Sequence, residues 1–153
     1  LQVDFVLPDR LDAFYVDEEG NKKHPVMLHR AILGSMERFI GVLIENTSGN
    51  FPLWLAPTQL VIANVTSDSA DYAKEIYNLS IEKNLRAELD LRNEKISYKI
   101  REHSNQKVPI ILVVGKNEIK ENSVSIRRLG SNDQKVQPLK KTLDEIQNES
   151  YMP

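Results

Sequence analysis

The sequence predicts an α/β fold: a C-terminal mixed, largely parallel sheet flanked by helices, preceded by antiparallel strands and one helix. From residue 59 onward, short apolar runs alternate with stretches of helical periodicity, a pattern typical of strands covered by helices on both faces. The apolar runs at 108–114 and 123–128 lie too close in sequence for a helical crossover, which predicts one antiparallel pair within the sheet.

The N-terminal third is predicted to consist of short strands and one helix. Apolar runs at 3–6 and 13–17 predict two strands, and a polar turn with a Gly-Asn pair leads to a returning strand at 25–30. Ser35 is suited to cap the helix that follows, because its hydroxyl can accept a hydrogen bond from the first helical turn. Apolar residues at helical spacing predict that this helix ends near residue 46.

The remaining elements form the alternating series. Strands are expected at 60–65, 86–91, 108–114, 123–128 and 134–137, and helices at 68–83, at 95–103 and from Pro138 onward. Residues 51–57 contain two prolines and several bulky side chains, which predicts a packed connector rather than a helix. We therefore expect an N-terminal part at 1–50, the connector at 51–57 and a C-terminal domain at 58–153.

Composition and charge limit the classes of function. The 153 residues are 41% hydrophobic and 27% charged with a net charge of −2, as in soluble globular proteins, so any nucleic-acid site must be a local patch. The lack of cysteine excludes disulfides and thiolate metal sites within this chain and suits a reducing, cytoplasmic location. No apolar run approaches the roughly 20 residues that span a bilayer, so we expect no membrane partner.

The segment 29–39, His-Arg-Ala-Ile-Leu-Gly-Ser-Met-Glu-Arg-Phe, resembles motif 3 of class II aminoacyl-tRNA synthetases, a strand that runs through small residues into a helix and ends in arginine. Generic members have more glycines, whereas here only Gly34 remains. The leading histidine and the Gly-Ser-Met-Glu-Arg core are similar to the threonyl branch. Three downstream segments also look like that branch: 54–57, 90–96 and 99–103.

The resemblance implies a fragment of a longer enzyme that attaches threonine to tRNA-Thr with ATP and Mg²⁺: the end of the class II core, then the class II anticodon-binding domain. The start of the chain at Leu1, inside a predicted strand, also predicts a fragment. Arg38 would be catalytic and hold ATP, since a guanidinium can stack on adenine and offset phosphate charge. Gln2, His29 and Ser35 match substrate-binding positions. The parent would be a homodimer.

His29 also matches a zinc ligand of this branch, in which zinc binds the amino and hydroxyl groups of threonine and rejects valine. The resemblance places the other protein ligands, a cysteine and a second histidine, upstream of Leu1, and His24 and His103 fall outside the motif. We therefore expect an incomplete zinc site here, no complete cofactor site, and no threonine activation by this chain alone.

The anticodon-binding positions of the family match Asn93, Glu118 and Arg127. A glutamate can accept hydrogen bonds from a guanine edge and an arginine can donate to base carbonyls, and unpaired anticodon bases expose those edges. We therefore expect the anticodon stem-loop of tRNA-Thr as the partner. Three basic residues near one side of a predicted helix are expected to contact phosphates: Lys95, Lys99 and Arg101.

Two other interpretations of the sequence stay open. One is a stand-alone, non-catalytic tRNA-binding or accessory module, since the anticodon-binding fold is reused in such proteins. It would have no need of both His29 and Arg38. The other is a nucleotide- or flavin-binding doubly wound domain, which requires a glycine-rich turn after the first strand, and residues 65–68 contain no glycine. Prolyl, glycyl and histidyl relatives share the anticodon fold. Only the context of His29 and the set of Asn93, Glu118 and Arg127 favour threonine.

Overall fold

The computed structural model describes residues 1–131 and 133–151, and the chain divides into two compact units, Leu1–Leu43 and Ile44–Pro153. The predicted fold class is confirmed, with antiparallel strand pairs in the first unit and a mixed five-stranded sheet flanked by helices in the second. None of the described helices combines the length and the apolar character that a membrane crossing requires.

The N-terminal part consists of short elements. In chain order these are β1 (Gln2–Asp4), α1 (Leu7–Arg10), β2 (Tyr15–Val16), β3 (Lys22–Lys23), β4 (Met27–His29) and α2 (Met36–Thr47). Strand β1 pairs with β4, and β2 pairs with β3, both antiparallel. Helix α2 begins after Ser35, whose hydroxyl accepts the N–H of Arg38 at 3.2 Å, so the predicted cap is confirmed.

Two predictions for this part were wrong in detail. The first strand stops at Asp4, because its Oδ1 accepts the backbone N–H groups of Val6 and Leu7, both at 2.9 Å, and this turns the chain into α1. The strand that returns from the Gly-Asn turn is β3, not residues 25–30. Strand β4 pairs instead with β1, more than twenty residues earlier in the chain.

The first unit buries little of its apolar surface. Among the described residues of this unit, Pro8 alone is fully buried. Many large apolar side chains are exposed, including Leu1 at 82%, Ile32 at 77% and Phe5 at 70%. A unit with so little core has little hydrophobic stabilisation of its own.

The C-terminal part carries the alternating series. It contains β5 (Leu60–Asn64), a 3₁₀ turn (Ser67–Ser69), α3 (Ala70–Glu82), β6 (Ala87–Asp90), α4 (Ile96–Asn105), β7 (Ile110–Val114), α5 (Lys116–Glu121), β8 (Ser123–Arg128), β9 (Gln134–Pro138) and α6 (Leu139–Glu149). Only α5 has no counterpart among the predicted elements of this part. The strand order in the sheet is β6-β5-β7-β8-β9.

The pairing of the strands sets the two faces of the sheet. Strand β5 is parallel to both β6 and β7, whereas β8 is antiparallel to β7 and β9, so the predicted antiparallel pair is confirmed. The right-handed crossovers β5–α3–β6 and β6–α4–β7 run across the sheet in opposite directions, which places α3 on one face and α4 on the other. Residues of β5, β7, β8, α3 and α6 form the main core, which includes Leu60, Ile62, Ile76, Ile110, Leu112, Val124, Leu143 and Ile146.

The connector packs onto this second unit. Leu53 and Ala56 are 6% and 2% exposed. Arg86, at the start of β6, donates from Nε to the carbonyl of Ala56 at 2.9 Å and from Nη2 to the carbonyl of Trp54 at 2.7 Å. The side chain of Gln59 donates a hydrogen bond to the carbonyl of Leu53 at 2.9 Å. These polar contacts fix the backbone of the connector, which its prolines keep from forming a helix.

Candidate functional site

Two of the three candidate base-reading residues lie at one edge of the sheet. Asn93 is exposed in the loop between β6 and α4, and Glu118 is half-buried on α5, directly after β7. The carboxyl ends of parallel strands meet at the same edge, where ligands of α/β sheets commonly bind. Arg127 lies on β8 opposite Ile111, nearer the other end of the sheet, and is also half-buried.

The carboxylate of Glu118 is held from two sides. Its Oε2 accepts the backbone N–H of Gly115 at 2.9 Å, and its Oε1 accepts the hydroxyl of Ser125 at 3.0 Å. Gly115 is the N-cap of α5, so Glu118 satisfies a backbone group at the helix start. Each carboxylate oxygen has a further lone pair, so Glu118 is a fixed acceptor that can still receive a donor.

Glu118 and Arg127 are brought to the same face of the sheet. Ser125, which binds Glu118, and Arg127 are two residues apart on β8, so their side chains point to the same side. The Cα atoms of Ser125 and Arg127 are separated by about 7 Å, which is the rise of two residues along a strand. An acceptor and a guanidinium therefore lie on the same face of the sheet.

A groove runs between α4 and β8 on this face. It is lined by Ser97, Ile100, Arg101, Ser104, Asn105 and Arg127. The outer strand beyond it is open, since Val136 of β9, paired with Ser125, is 57% exposed. Two guanidinium groups and several hydroxyl and amide groups in an open groove suit a single-stranded, anionic ligand.

Tyr72 fixes the turn that leads into β8. From α3 its hydroxyl donates to the backbone carbonyl of Ser123 at 3.0 Å and lies 3.3 Å from the side-chain oxygen of Asn122. Burial, together with the charges of Glu75 and Glu118, raises the pKa of Tyr72 to about 12. The phenol therefore stays protonated at neutral pH and ties α3 to the strand that carries Ser125 and Arg127.

The prediction that Lys99 contacts phosphate was wrong. Lys99 is 1% exposed, and its ammonium group donates to the carbonyl oxygen of Asn64 at 3.1 Å, to Oδ1 of Asn64 at 2.8 Å and to the carbonyl oxygen of Asp90 at 3.1 Å. Burial lowers the pKa of Lys99, and the charge of Asp90 acts in the opposite direction. The other two basic residues of the predicted set, Lys95 and Arg101, are exposed.

A buried acid, Asp90, was missed in the sequence because it ends an ordinary strand pattern. Its carboxylate binds the guanidinium of Arg92 at 3.0 and 2.7 Å and Nε2 of His103 at 2.8 Å. Burial alone would raise the pKa of Asp90, but the hydrogen bonds from Arg92 and His103 and the charge of Lys99 outweigh it, so this pKa lies well below its usual range. The loop that carries Asn93 therefore starts from an ionised, multiply bound carboxylate.

In the first unit, the structure brings Gln2 and His29 together. They are directly opposite in the β1–β4 pair, so their side chains share one face, and they line a groove with Asp4. Nε2 of His29 lies 3.2 Å from Oδ2 of Asp4, a partner that was not anticipated from the sequence. A carboxylate at this position would fix the tautomer and orientation of the imidazole.

Ser35 and Arg38 lie at the start of α2, both exposed. The Ser35 hydroxyl already accepts the backbone N–H of Arg38, so it can still donate its hydrogen and accept one further hydrogen bond. Within residues 1–131 and 133–151, the guanidinium of Arg38 forms no ion pair, either with Glu37 or with Glu45. It is thus a cation with open access to an anionic ligand.

The residues present do not fit a zinc or magnesium ion by themselves. Structural and catalytic zinc sites take at least three protein ligands. His29 has only Asp4 beside it, and the described part of the chain contains no group of three or more His, Asp or Glu side chains that could hold a metal ion.

Similarity to known proteins covers the whole chain. The family model described as "Anticodon binding domain" matches residues 59–149, and the one described as "tRNA synthetase class II core domain (G, H, P, S and T)" matches residues 1–47. The chain is 58% identical over 152 residues to the threonine–tRNA ligase of Bartonella quintana, covering 99% of this chain and 23% of that protein. For the threonine–tRNA ligase of Paramagnetospirillum magneticum the identity is 59% over 153 residues, covering 100% and 24%.

A solved structure has the same fold. The crystal structure of the RNA binding domain of threonyl-tRNA synthetase from Cryptosporidium parvum Iowa II superposes with a TM-score of 0.75 at 30% identity, covering 99% of this chain and 38% of that chain. This chain spans about a quarter of the length of the curated relatives it matches. Because the anticodon-binding match covers more than half of its residues, the chain belongs to the anticodon binding domain family.

Proposed function

We propose that this chain recognises the anticodon of tRNA-Thr as part of a threonine–tRNA ligase. The observation that carries the proposal is the carboxylate of Glu118, held by Gly115 and Ser125 on the same face of β8 as Arg127. A fixed acceptor on the same face as a guanidinium can pair with the donor edge of a guanine, while the guanidinium donates to the carbonyl groups of another base. The identity to threonine–tRNA ligases along the whole chain supports the choice of amino acid.

The two guanidinium groups of the groove would have different roles. Arg127 lies on the strand beside Ser125 and would contact a base, whereas Arg101 is exposed on α4 at the groove wall and would contact the RNA backbone. Phosphate contacts fix position, and base contacts give specificity. Loss of Arg101 should therefore weaken binding to every anticodon equally, and loss of Arg127 should reduce the preference for one.

In the parent enzyme, threonine would attack the α-phosphate of ATP, release pyrophosphate, and then be transferred to the 3′ end of the tRNA. Arg38, exposed and without an ion pair in the described residues, would bind ATP and neutralise charge as it develops on the phosphates. Gln2, His29 and Ser35 would face the amino acid. Zinc and Mg²⁺ would belong to the parent enzyme, since the described residues of this chain contain no group of ligands for either ion.

The direct test is fluorescence anisotropy of the chain with a labelled anticodon stem-loop of tRNA-Thr and with stem-loops of other anticodons. The proposal predicts tighter binding to the threonine anticodon by at least about tenfold, since one base-edge contact discriminates by roughly 1–3 kcal/mol. Equal binding to all stem-loops would refute it. Pyrophosphate exchange by the chain alone should stay at background, and exchange above background would contradict the assignment of activation to the parent enzyme.

A further inference from the structure

A buried cation lies beneath the loop that presents Asn93. All three hydrogens of the Lys99 ammonium have acceptors, two on Asn64 and one on Asp90, at 2.8 to 3.1 Å. Asn64 ends β5 and Asp90 ends β6, so this one side chain of α4 joins the carboxyl ends of two adjacent parallel strands. A buried charge is expensive unless it is paired and hydrogen-bonded, so these contacts hold both strand ends in place.

A second set of contacts, nearer the surface, holds the loop between β6 and α4. Asp90 accepts the backbone N–H of Arg92 at 3.1 Å as well as two hydrogen bonds from its guanidinium. The same guanidinium reaches Oε2 of Glu102 on α4 at 2.7 Å. The backbone N–H of Glu94 then donates to the carbonyl of Arg92 at 2.9 Å. Asn93 therefore lies between two residues whose backbone is fixed.

Removing one member of such a network is costly, but stability alone does not require charged groups at these positions. Buried ion pairs can often be replaced by apolar residues without loss of stability, and in several proteins they serve to select one conformation. Here the charged groups surround the loop between β6 and α4, which carries the exposed Asn93 at the edge of the sheet. Asn93 can offer an acceptor and two donors only in the direction that the loop gives it.

We propose that Lys99, together with Asp90, Arg92 and Glu102, positions Asn93 to read one anticodon base. The inference rests on the proposed function, and it assigns to Lys99 an indirect role in base specificity. Lys99 itself does not touch the RNA, because its side chain is 1% exposed. Its removal should therefore change the preference for one base and leave the phosphate contacts intact.

The test uses the full chain and four stem-loops: the threonine anticodon stem-loop and three in which one anticodon base is changed. The Asn93→Ala variant identifies the base that Asn93 reads as the position at which discrimination falls. Lys99→Met, which keeps the length of the side chain, should lower discrimination roughly tenfold at that same position and leave the other two unchanged. The double variant Asn93→Ala/Lys99→Met should discriminate no worse than Asn93→Ala alone.

Arg86→Met is the matched control, because Arg86 is a hydrogen-bonded cation at the other end of β6. It should lower the melting temperature without changing discrimination. If Lys99→Met does not fold, as judged by circular dichroism, Glu102→Gln replaces it. Simple charge repulsion predicts that Glu102→Gln binds all four RNAs more tightly, whereas the positioning role predicts weaker discrimination at the Asn93 position alone.

The outcomes separate the two proposals. If the wild-type chain does not discriminate among the stem-loops, the proposed function fails. If the wild type discriminates and Asn93→Ala changes nothing, or if Lys99→Met weakens all four RNAs equally, the positioning role of Lys99 fails and the assignment through Glu118 and Arg127 stands. Additive effects of Asn93→Ala and Lys99→Met would likewise overturn the positioning role.

Discussion

Ser125 donates its hydroxyl hydrogen to Oε1 of Glu118 at 3.0 Å, and this contact joins β8 to the short helix that follows β7. It sets the direction in which the carboxylate presents its remaining lone pairs. It also places the acceptor on the face of the sheet that carries Arg127. Under the proposed function, recognition of a base would depend on a serine that need not contact the RNA.

The first prediction concerns that serine. Ser125→Ala should fold, because it deletes only one oxygen. It should weaken binding of the threonine stem-loop roughly tenfold, because hydrogen bonds to charged groups contribute about 1.5–3 kcal/mol. Anisotropy titrations measure the effect. Ser80→Ala is the control, because Ser80 is also a buried hydroxyl but bonds within α3, to the carbonyl of Ile76. Equal effects of the two substitutions would contradict the role of Ser125.

The second prediction concerns Gly115. A Cβ atom at this position would lie 3.1 Å from Oε2 of Glu118 and 3.4 Å from Cγ2 of Val65, so Gly115→Ala should displace the carboxylate. We expect lower discrimination between anticodons with little change in fold. Gly41→Ala on α2 is the control, since a Cβ added there meets no described atom within 4 Å beyond its chain neighbours and its own helix backbone, and alanine favours a helix. If Gly115→Ala retained full discrimination, Glu118 would not be the reading group.

The third prediction is a dependence of stability on pH. The folded-state pKa of Asp90 is below its ordinary value of 3.8, so its carboxylate stabilises the fold fully above about pH 4 and progressively less as pH falls toward the folded-state pKa. Asp90→Asn should lower the free energy of unfolding by about 3–5 kcal/mol at pH 7, since it removes the carboxylate that lies 3.7 Å from the buried ammonium of Lys99. Urea titrations between pH 7 and pH 2 should show this difference shrinking. Parallel curves would contradict it.

The fourth prediction concerns the core. Leu112, in the middle of β7, is fully buried, so Leu112→Ala should lower the free energy of unfolding by about 2–5 kcal/mol. Val136→Ala, on the exposed face of β9, should change it by roughly 0.5 kcal/mol or less. Both values come from urea unfolding. Comparable losses in the two variants would mean that the outer strand is covered, which would conflict with an open face for RNA.

The sheet could be predicted because its strands are short apolar runs with clear boundaries. The run 123–128 matches β8 residue for residue, and the antiparallel pair followed from the short spacing between β7 and β8. Helix α5 was not predicted, because six residues are less than two turns and show no periodicity. Its capping contact between Gly115 and Glu118 becomes evident only when the backbone is folded.

The contacts of the candidate site could be predicted from the sequence only in small part. Helical spacing placed Lys99 near Lys95 and Arg101, but it did not reveal that Lys99 faces the sheet. Its acceptors on Asn64 lie 35 residues away in sequence, so no local pattern announces them. The pairing of Gln2 with His29 likewise depends on the register of two distant strands. Asp4, the partner of His29, carried no signal beyond being an acid in a strand.

Whether Glu118 and Arg127 read anticodon bases is tested most directly by one ratio: the dissociation constant for a swapped anticodon divided by that for the threonine anticodon. It is measured by anisotropy in the wild-type chain and in the Glu118→Ala/Arg127→Ala variant. The account predicts a ratio of at least about ten in the wild type that falls close to one in the variant. A variant that binds both stem-loops more weakly by the same factor, with the ratio unchanged, would contradict it.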